Sequence, residues 1–347
     1  MRKIGGIYMA TMKEIAALSG VSRGTVDRVL NHRGSVHPDT AARVLKIAKQ
    51  LNYQPNKAGL ILAAQKKNFK IGVILFQDTN PFFQEVLTGI YAMAEELSGY
   101  NCQVLIRQVS FDESCQRQAI EALYQEGIHG LVISPYNAPS ITAEINRLTE
   151  QGIPVITTNT DIESQRLAYV GSNYFLSGQT AAGLLGRMTF GEVFVGIITG
   201  SSHILCHTER IAGFLETIRK YYPQVHVVEE MIENHDNDTE SREKVQKFLT
   251  DHPEINALYF AAAGIYGGCQ AVRSLGLSEK IKIFTYDNVG STTELMKQGI
   301  ITATICQQPF LQGYRPLELI FRYLLEGIAP ETEFQYVNID IRIRENI

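Results

Sequence analysis

The chain has 347 residues, 45% of them hydrophobic and 20% charged, enough for two or three compact units with sizeable cores. It contains no run of about eighteen apolar residues, which excludes a helical membrane span, and its start, MRKIGGIYMAT, lacks the apolar core of a secretion signal. The net charge of −4 is unevenly spread: residues 11–67 hold ten Lys or Arg against three acids, so the remainder is strongly acidic. A basic N-terminal module on an acidic body is the footprint of a polyanion binder. The five cysteines (102, 115, 206, 269, 306) lack metal or redox spacing, as expected of reduced thiols in a cytoplasmic protein.

Residues 1–10 show no amphipathic pattern and are expected to be a disordered extension, Met9-Ala10-Thr11 itself making a natural start. Thr11 followed by Glu14 is a capping-box start, and Ile15, Ala16 and Leu18 give that helix an apolar stripe. Ser19-Gly20-Val21 makes a turn in which Gly20 is free to take a positive φ. Ser22 can cap a second helix whose inner face is Val26, Val29 and Leu30. Two short helices so joined are a helix-turn-helix, the second helix being the one that enters a DNA major groove. A third helix is predicted from about Pro38 to Leu51, with Val44, Leu45, Ile47, Ala48 and Leu51 packing on the first pair. The stretch KAGLILAAQKK follows, apolar but too short to be a stable helix alone.

From Lys70 the texture becomes alternating strands and amphipathic helices. Strands are predicted at 70–76, 102–109, 130–135, 154–159, 167–171, 193–200, 226–232, 257–260, 281–287, 301–307 and 334–343. Helices lie between most of them, near 82–98, 113–126, 140–151, 176–189, 208–221, 239–251, 265–275, 291–298 and 309–326. Strict alternation implies doubly wound parallel sheets with helices on both faces, here in two units of similar size.

The strings Gly20-Val21-Ser22, Thr25-Val26, Arg28-Val29-Leu30-Asn31 and Tyr53-Gln54-Pro55-Asn56 closely resemble the headpiece signature of the lactose-repressor (LacI/GalR) family. The resemblance implies an all-α helix-turn-helix head at 11–56 and a hinge helix at 57–68 that orders when two copies meet over the minor groove. Carried over residue by residue, Thr11, Ser22, Arg23, Thr25, Asp27, Arg28, Asn31, Asn56, Lys57 and Leu62 face double-stranded operator DNA. Arg23 and Arg28 can each grip guanine O6 and N7. Asp27 departs from the usual Ser, and either pairs with Arg23 or accepts from a cytosine N4. Leu62 matches the residue that related repressors wedge into the central base step.

The body resembles the type I periplasmic sugar-binding fold, most closely its ribose-binding branch, over nearly all of 70–347. The carrying strings are NPFF (80–83), PVITTN, GSNYFLSGQTAAGLL, the Tyr286-Asp287 pair and ATICQQP (303–309). That resemblance implies two lobes, one about 70–172 with 308–330 and the other about 173–307 with 331–347, joined by three crossovers and closing on a sugar, polyol or derivative. The implied contacts are Asn80, Phe82, Phe83, Ser134, Asn159, His207, Asp287 and Gln307. Four of them have a plainer reading: the two Phe rings as core, Asp287 as a helix cap, and Gln307, at the third crossover, as a structural amide. The departures are Asn159 for Asp, Thr208 for Arg, and Ala263-Gly264 for an Asn-Asp pair. His203, Cys206 and His207 lack a fourth candidate for a metal site, and His235-Asp236-Asn237-Asp238 reads equally as a solvated turn.

No cofactor is implied. Gln77-Asp78-Thr79-Asn80-Pro81 follows the first strand where a dinucleotide fold needs glycines, and neither a GxSxG elbow nor a P-loop lysine occurs. An enzyme is therefore not expected. A solute-binding component of a transport system is the alternative to a DNA-binding regulator, and the headpiece argues against it. A homodimer is expected, since no heptad tail follows the body.

Overall fold

A computed structural model describes residues 10–30, 36–51, 53, 65–76, 81–202 and 204–347. The residues outside these ranges include Asn31, Asn56, Lys57, Leu62, Asn80 and His203, so the DNA, hinge and effector roles expected of them lie outside the described part.

Three helices form the head: α1 (Met12–Ser19), α2 (Arg23–Leu30) and α3 (Pro38–Gln50). Thr11 caps α1 in a full capping box with Glu14, and Gly20 ends it at φ 66°, its N–H reaching back to the Ala16 carbonyl. Ile15, Ala16, Val26, Val29, Val44 and Ala48 make the small core where the helices meet. Two expected members fall outside it, Leu18 being 62% and Leu45 46% exposed. In α1 the inward position next to Leu18 belongs to Ser19, which is buried because its hydroxyl bonds the Ile15 carbonyl at 2.5 Å.

The body begins with β1 (Lys70–Phe76), α4 (Pro81–Ser98), β2 (Gln103–Val109), α5 (Glu113–Gln125), β3 (Gly130–Ile133), α6 (Pro139–Glu150), β4 (Val155–Thr158) and β5 (Ala168–Gly171). The chain then crosses to a second unit through α7 (Tyr174–Met188), β6 (Val193–Thr199), α8 (Leu205–Tyr221), β7 (Val225–Glu233), α9 (Asp238–Asp251), β8 (Ala257–Phe260), α10 (Ile265–Ser274), β9 (Lys282–Tyr286), α11 (Gly290–Lys297) and β10 (Ala303–Cys306). It returns as α12 (Pro309–Glu326) and β11 (Phe334–Tyr336), and crosses again to β12 (Asp340–Arg342). The result is two six-stranded sheets, ordered β11-β5-β4-β3-β1-β2 and β12-β10-β9-β8-β6-β7. Every pairing is parallel except β10 with β12. Central strands such as β1 and β3 are covered on both faces, which is why KIGVILF and GLVI read as continuous apolar runs.

The C-terminal segment corrects the expected lobe boundary. The single strand predicted at 334–343 is two: β11 pairs in parallel with β5 of the first lobe, and β12 pairs antiparallel with β10 of the second. The last crossover is therefore at 337–339 and not at 330, and Gln307 stands at the second crossover instead of the third. Backbone pairing on both sides of a three-residue link divides the run, a division that its unbroken β-type composition does not reveal.

Candidate nucleic-acid interface and interlobe cleft

In the head, Ser22 accepts the Thr25 N–H at 3.1 Å and its hydroxyl lies 2.9 Å from that of Thr25. This fixes the first turn of α2 and leaves Ser22, Arg23, Gly24 and Arg28 exposed on its outer face, with Val26 and Val29 turned inward. Arg28 Nε donates to the Gly24 carbonyl at 3.2 Å, which lays the guanidinium along that face. Tyr53 lies near both Asp27 and Arg23: burial, then the Asp27 charge, raise its pKa against the opposing Arg23. An exposed, cationic second helix at the end of a tight turn has the geometry for major-groove entry.

The sequence-nominated residues of the body gather at the carboxyl ends of the strands, where ligands of open α/β sheets sit. Asp287 follows β9 at φ 66°. It does not cap the next helix, whose N-cap position is Val289 without a side-chain hydrogen bond, so the capping alternative falls. Its Oδ1 instead accepts Gln307 Nε2 at 2.8 Å, and Gln307, 4% exposed, keeps its Oε1 without a hydrogen-bond partner. Burial pushes the Asp287 carboxyl up to about 6, with Glu85 adding to the rise and Arg210 and Gln307 opposing it. Ser134 at the end of β3 is fully buried with its Oγ likewise unpartnered. Asn159 ends β4 at φ 63°, its amide near Gln312 and its carbonyl accepting from the hydroxyls of Tyr169 and Tyr174.

Other nominated residues are placed differently. Phe82 is 4% exposed and belongs to the first lobe's core, as its plainer reading has it; Phe83, edge-on to it at 5.3 Å, is the more accessible ring. His207 is buried in the first turn of α8, accepting the Ser201 N–H through Nδ1 at 3.2 Å. Thr208 donates to the Leu205 carbonyl. In the 235–238 segment, His235 lies beside Glu240, Asp236 accepts the Ala263 N–H, Asn237 caps α9 and Asp238 accepts the Gly267 N–H, so the turn is tied down by its own polar groups.

Arg210 is the residue sequence reasoning left out. It is 5% exposed, gives Nη1 to the Ala261 carbonyl at 2.9 Å and lies 3.8 Å from the Tyr286 ring centroid and 5.1 Å from that of Tyr174. Its Nε has no hydrogen-bond partner. The available signal was periodicity: Arg210 stands on the same α8 stripe as His207, Phe214 and Thr217, a charge on a buried face. Helices α7 and α8 meet so closely that a methyl group at Gly178 would overlap the Arg210 carbonyl oxygen. That approach brings the guanidinium between Tyr174 and Tyr286.

Among the described residues no group of three or more His, Cys, Asp or Glu is arranged to hold a metal ion. None of their helices is long and apolar enough to cross a membrane.

Comparison with known proteins fits both halves of this geometry. Residues 71–327 match the family model described as "Periplasmic binding protein domain", and residues 11–56 match "Bacterial regulatory proteins, lacI family". The chain is similar to a ribose operon repressor of Bacillus subtilis, at 25% identity covering 94% of this chain and 95% of that one. It is similar to the ribose operon repressor of Halalkalibacterium halodurans at 23% identity, covering 81% of each. Among solved structures, the arabinose-binding protein AraP of Geobacillus stearothermophilus superimposes with a TM-score of 0.69 at 27% identity, over 80% of this chain and 98% of that one. The chain thus belongs to the periplasmic binding protein domain family through its body and, with a lacI-family helix-turn-helix head directed at operator DNA, is a bacterial transcriptional regulator.

Proposed function

We propose that this regulator is a cytoplasmic repressor of carbohydrate-use genes, working as a homodimer and released from or tightened on its operator by a neutral sugar or polyol held between the lobes. The observation that carries the reading is the Asp287–Gln307 pair. A carboxylate and an amide are locked together at a crossover between lobes, with a buried acceptor, Gln307 Oε1, still open. Sugar hydroxyls supply donors for such acceptors, and Ser134 Oγ across the cleft offers a further polar contact. Names of the full-length relatives, two of them ribose operon repressors, support a sugar-linked role. The acidic body favours an uncharged effector over a sugar phosphate. Asn80 and Phe83 complete the proposed contacts. A transport role would leave the basic head without a task.

The test is operator titration of the wild type and Asp287→Asn, with and without a ligand found by thermal-shift screening of pentoses, hexoses and polyols. The reading expects the variant to keep operator affinity and lose the effector response. A variant that still responds at the wild-type ligand concentration refutes this cleft as the control site.

A further inference from the structure

We propose that the groove beside the hinge, distinct from the effector cleft, is a second ligand site built for a small organic cation: an amine on a short apolar body. The groove has a volume of about 360 Å³, within the usual size of small-molecule sites. Its walls come from both lobes, Asp161, Glu163, Phe334 and Tyr336 on one side and Cys206 and Glu209 of α8 on the other. Ser134, Asn159, His207, Asp287 and Gln307 take no part in it.

Its chemistry selects for positive charge. Three carboxylates line the groove, and no Lys, Arg or His does so among the described residues. The Arg166 guanidinium is already engaged: it grips Asp161 with two hydrogen bonds of 2.7 and 2.6 Å and Glu333 with another of 2.6 Å, and its side chain is only 4% exposed. Glu163 and Glu209 form no ion pair among the described residues. Glu209 faces Asp161 across the two lobes, and burial together with that like charge raises its pKa. A cation bound beside Glu209 would favour its ionised form.

Two further observations point to an organic ligand. Phe334 and Tyr336 stack on each other at 5.6 Å and 18°, with the Arg166 guanidinium 5.2 Å from the Phe334 centroid, and Tyr336, 49% exposed, offers its ring to an apolar body or an ammonium group. Ser172, 1% exposed and lining the groove, leaves its Oγ without a hydrogen-bond partner. Because the site draws on both lobes, occupancy depends on the angle between them.

The experiment is isothermal titration calorimetry of the full chain with phenethylamine, using neutral 2-phenylethanol and anionic phenylacetate as shape-matched controls. Phenethylamine should bind saturably, with both controls at least about tenfold weaker and added salt weakening the amine. Glu209→Gln should weaken the amine about tenfold or more while the far-UV circular dichroism stays that of wild type, and Asp287→Asn should leave amine binding unchanged. Three results overturn the proposal: no saturable amine binding below about 10 mM, equal binding of the uncharged control, or loss of binding in Asp287→Asn but not in Glu209→Gln. The last would place the amine in the effector cleft.

Discussion

At the residue scale, Asp287 couples ligand chemistry to proton chemistry. Its carboxyl titrates near 3.8 when unfolded and near 6 in the fold, so the folded chain holds this proton more tightly. Its contribution to stability is therefore full below about pH 3.8 and is lost as the pH rises through 6. Asn at 287 can still accept from Gln307 but cannot ionise. The melting temperature of Asp287→Asn, relative to wild type, should climb between pH 4.5 and 7.5; a difference independent of pH would contradict burial of the charge. In the head, Arg23→Ala should cost about 1–3 kcal/mol of operator affinity and relax one base position, as read by selection from random DNA. An unchanged selected motif would remove Arg23 from base reading. These residues were visible in the sequence because each sits in a recognisable string. Arg210 sits in no such string: periodicity puts it on the buried stripe of α8, but nothing in the sequence announces tyrosine rings as its partners.

At the scale of elements, the apposition of α7 and α8 depends on absent side chains. Gly178→Ala should destabilise the second lobe by roughly 1–3 kcal/mol and disturb Arg210, since the new methyl meets backbone rather than a side chain that can swing away. The urea midpoint measures the first effect and effector affinity the second; a variant as stable as wild type would show that the helices can separate freely. Periodicity located all nine helices named for the body and ten of its twelve strands within a few residues, because buried parallel strands and two-faced helices leave strong, different patterns. It failed where pattern and partner part company. The run 334–343 keeps one β-type composition while its pairing changes lobe midway. Leu18 and Leu45 look like core residues by type, but lie on the outer sides of α1 and α3. Phe82 and Phe83 were indistinguishable by spacing, and only packing shows that the first belongs to the core.

At the scale of the whole molecule, the two lobes are linked at 172–173, 307–308 and 337–339, and a closing motion must turn on all three. An effector can shift the open and closed populations only by its differential affinity for them. The factor by which it changes operator affinity must equal the factor by which operator changes effector affinity. Paired equilibrium titrations in both orders should return the same number, and unequal factors would mean that a further binding event is involved.

The return of the chain to its first lobe also sets an order of assembly. Leu317, Leu319, Ile320 and Phe321 of α12 pack into the same core as β1 and α4. On the ribosome, that core stays uncovered until α12 has emerged, more than two hundred residues after β1. The head, whose core is its own, can fold as soon as it is free. During synthesis the molecule thus passes through a stage with a competent basic head and an unfinished body, able to meet nucleic acid before it can answer to an effector.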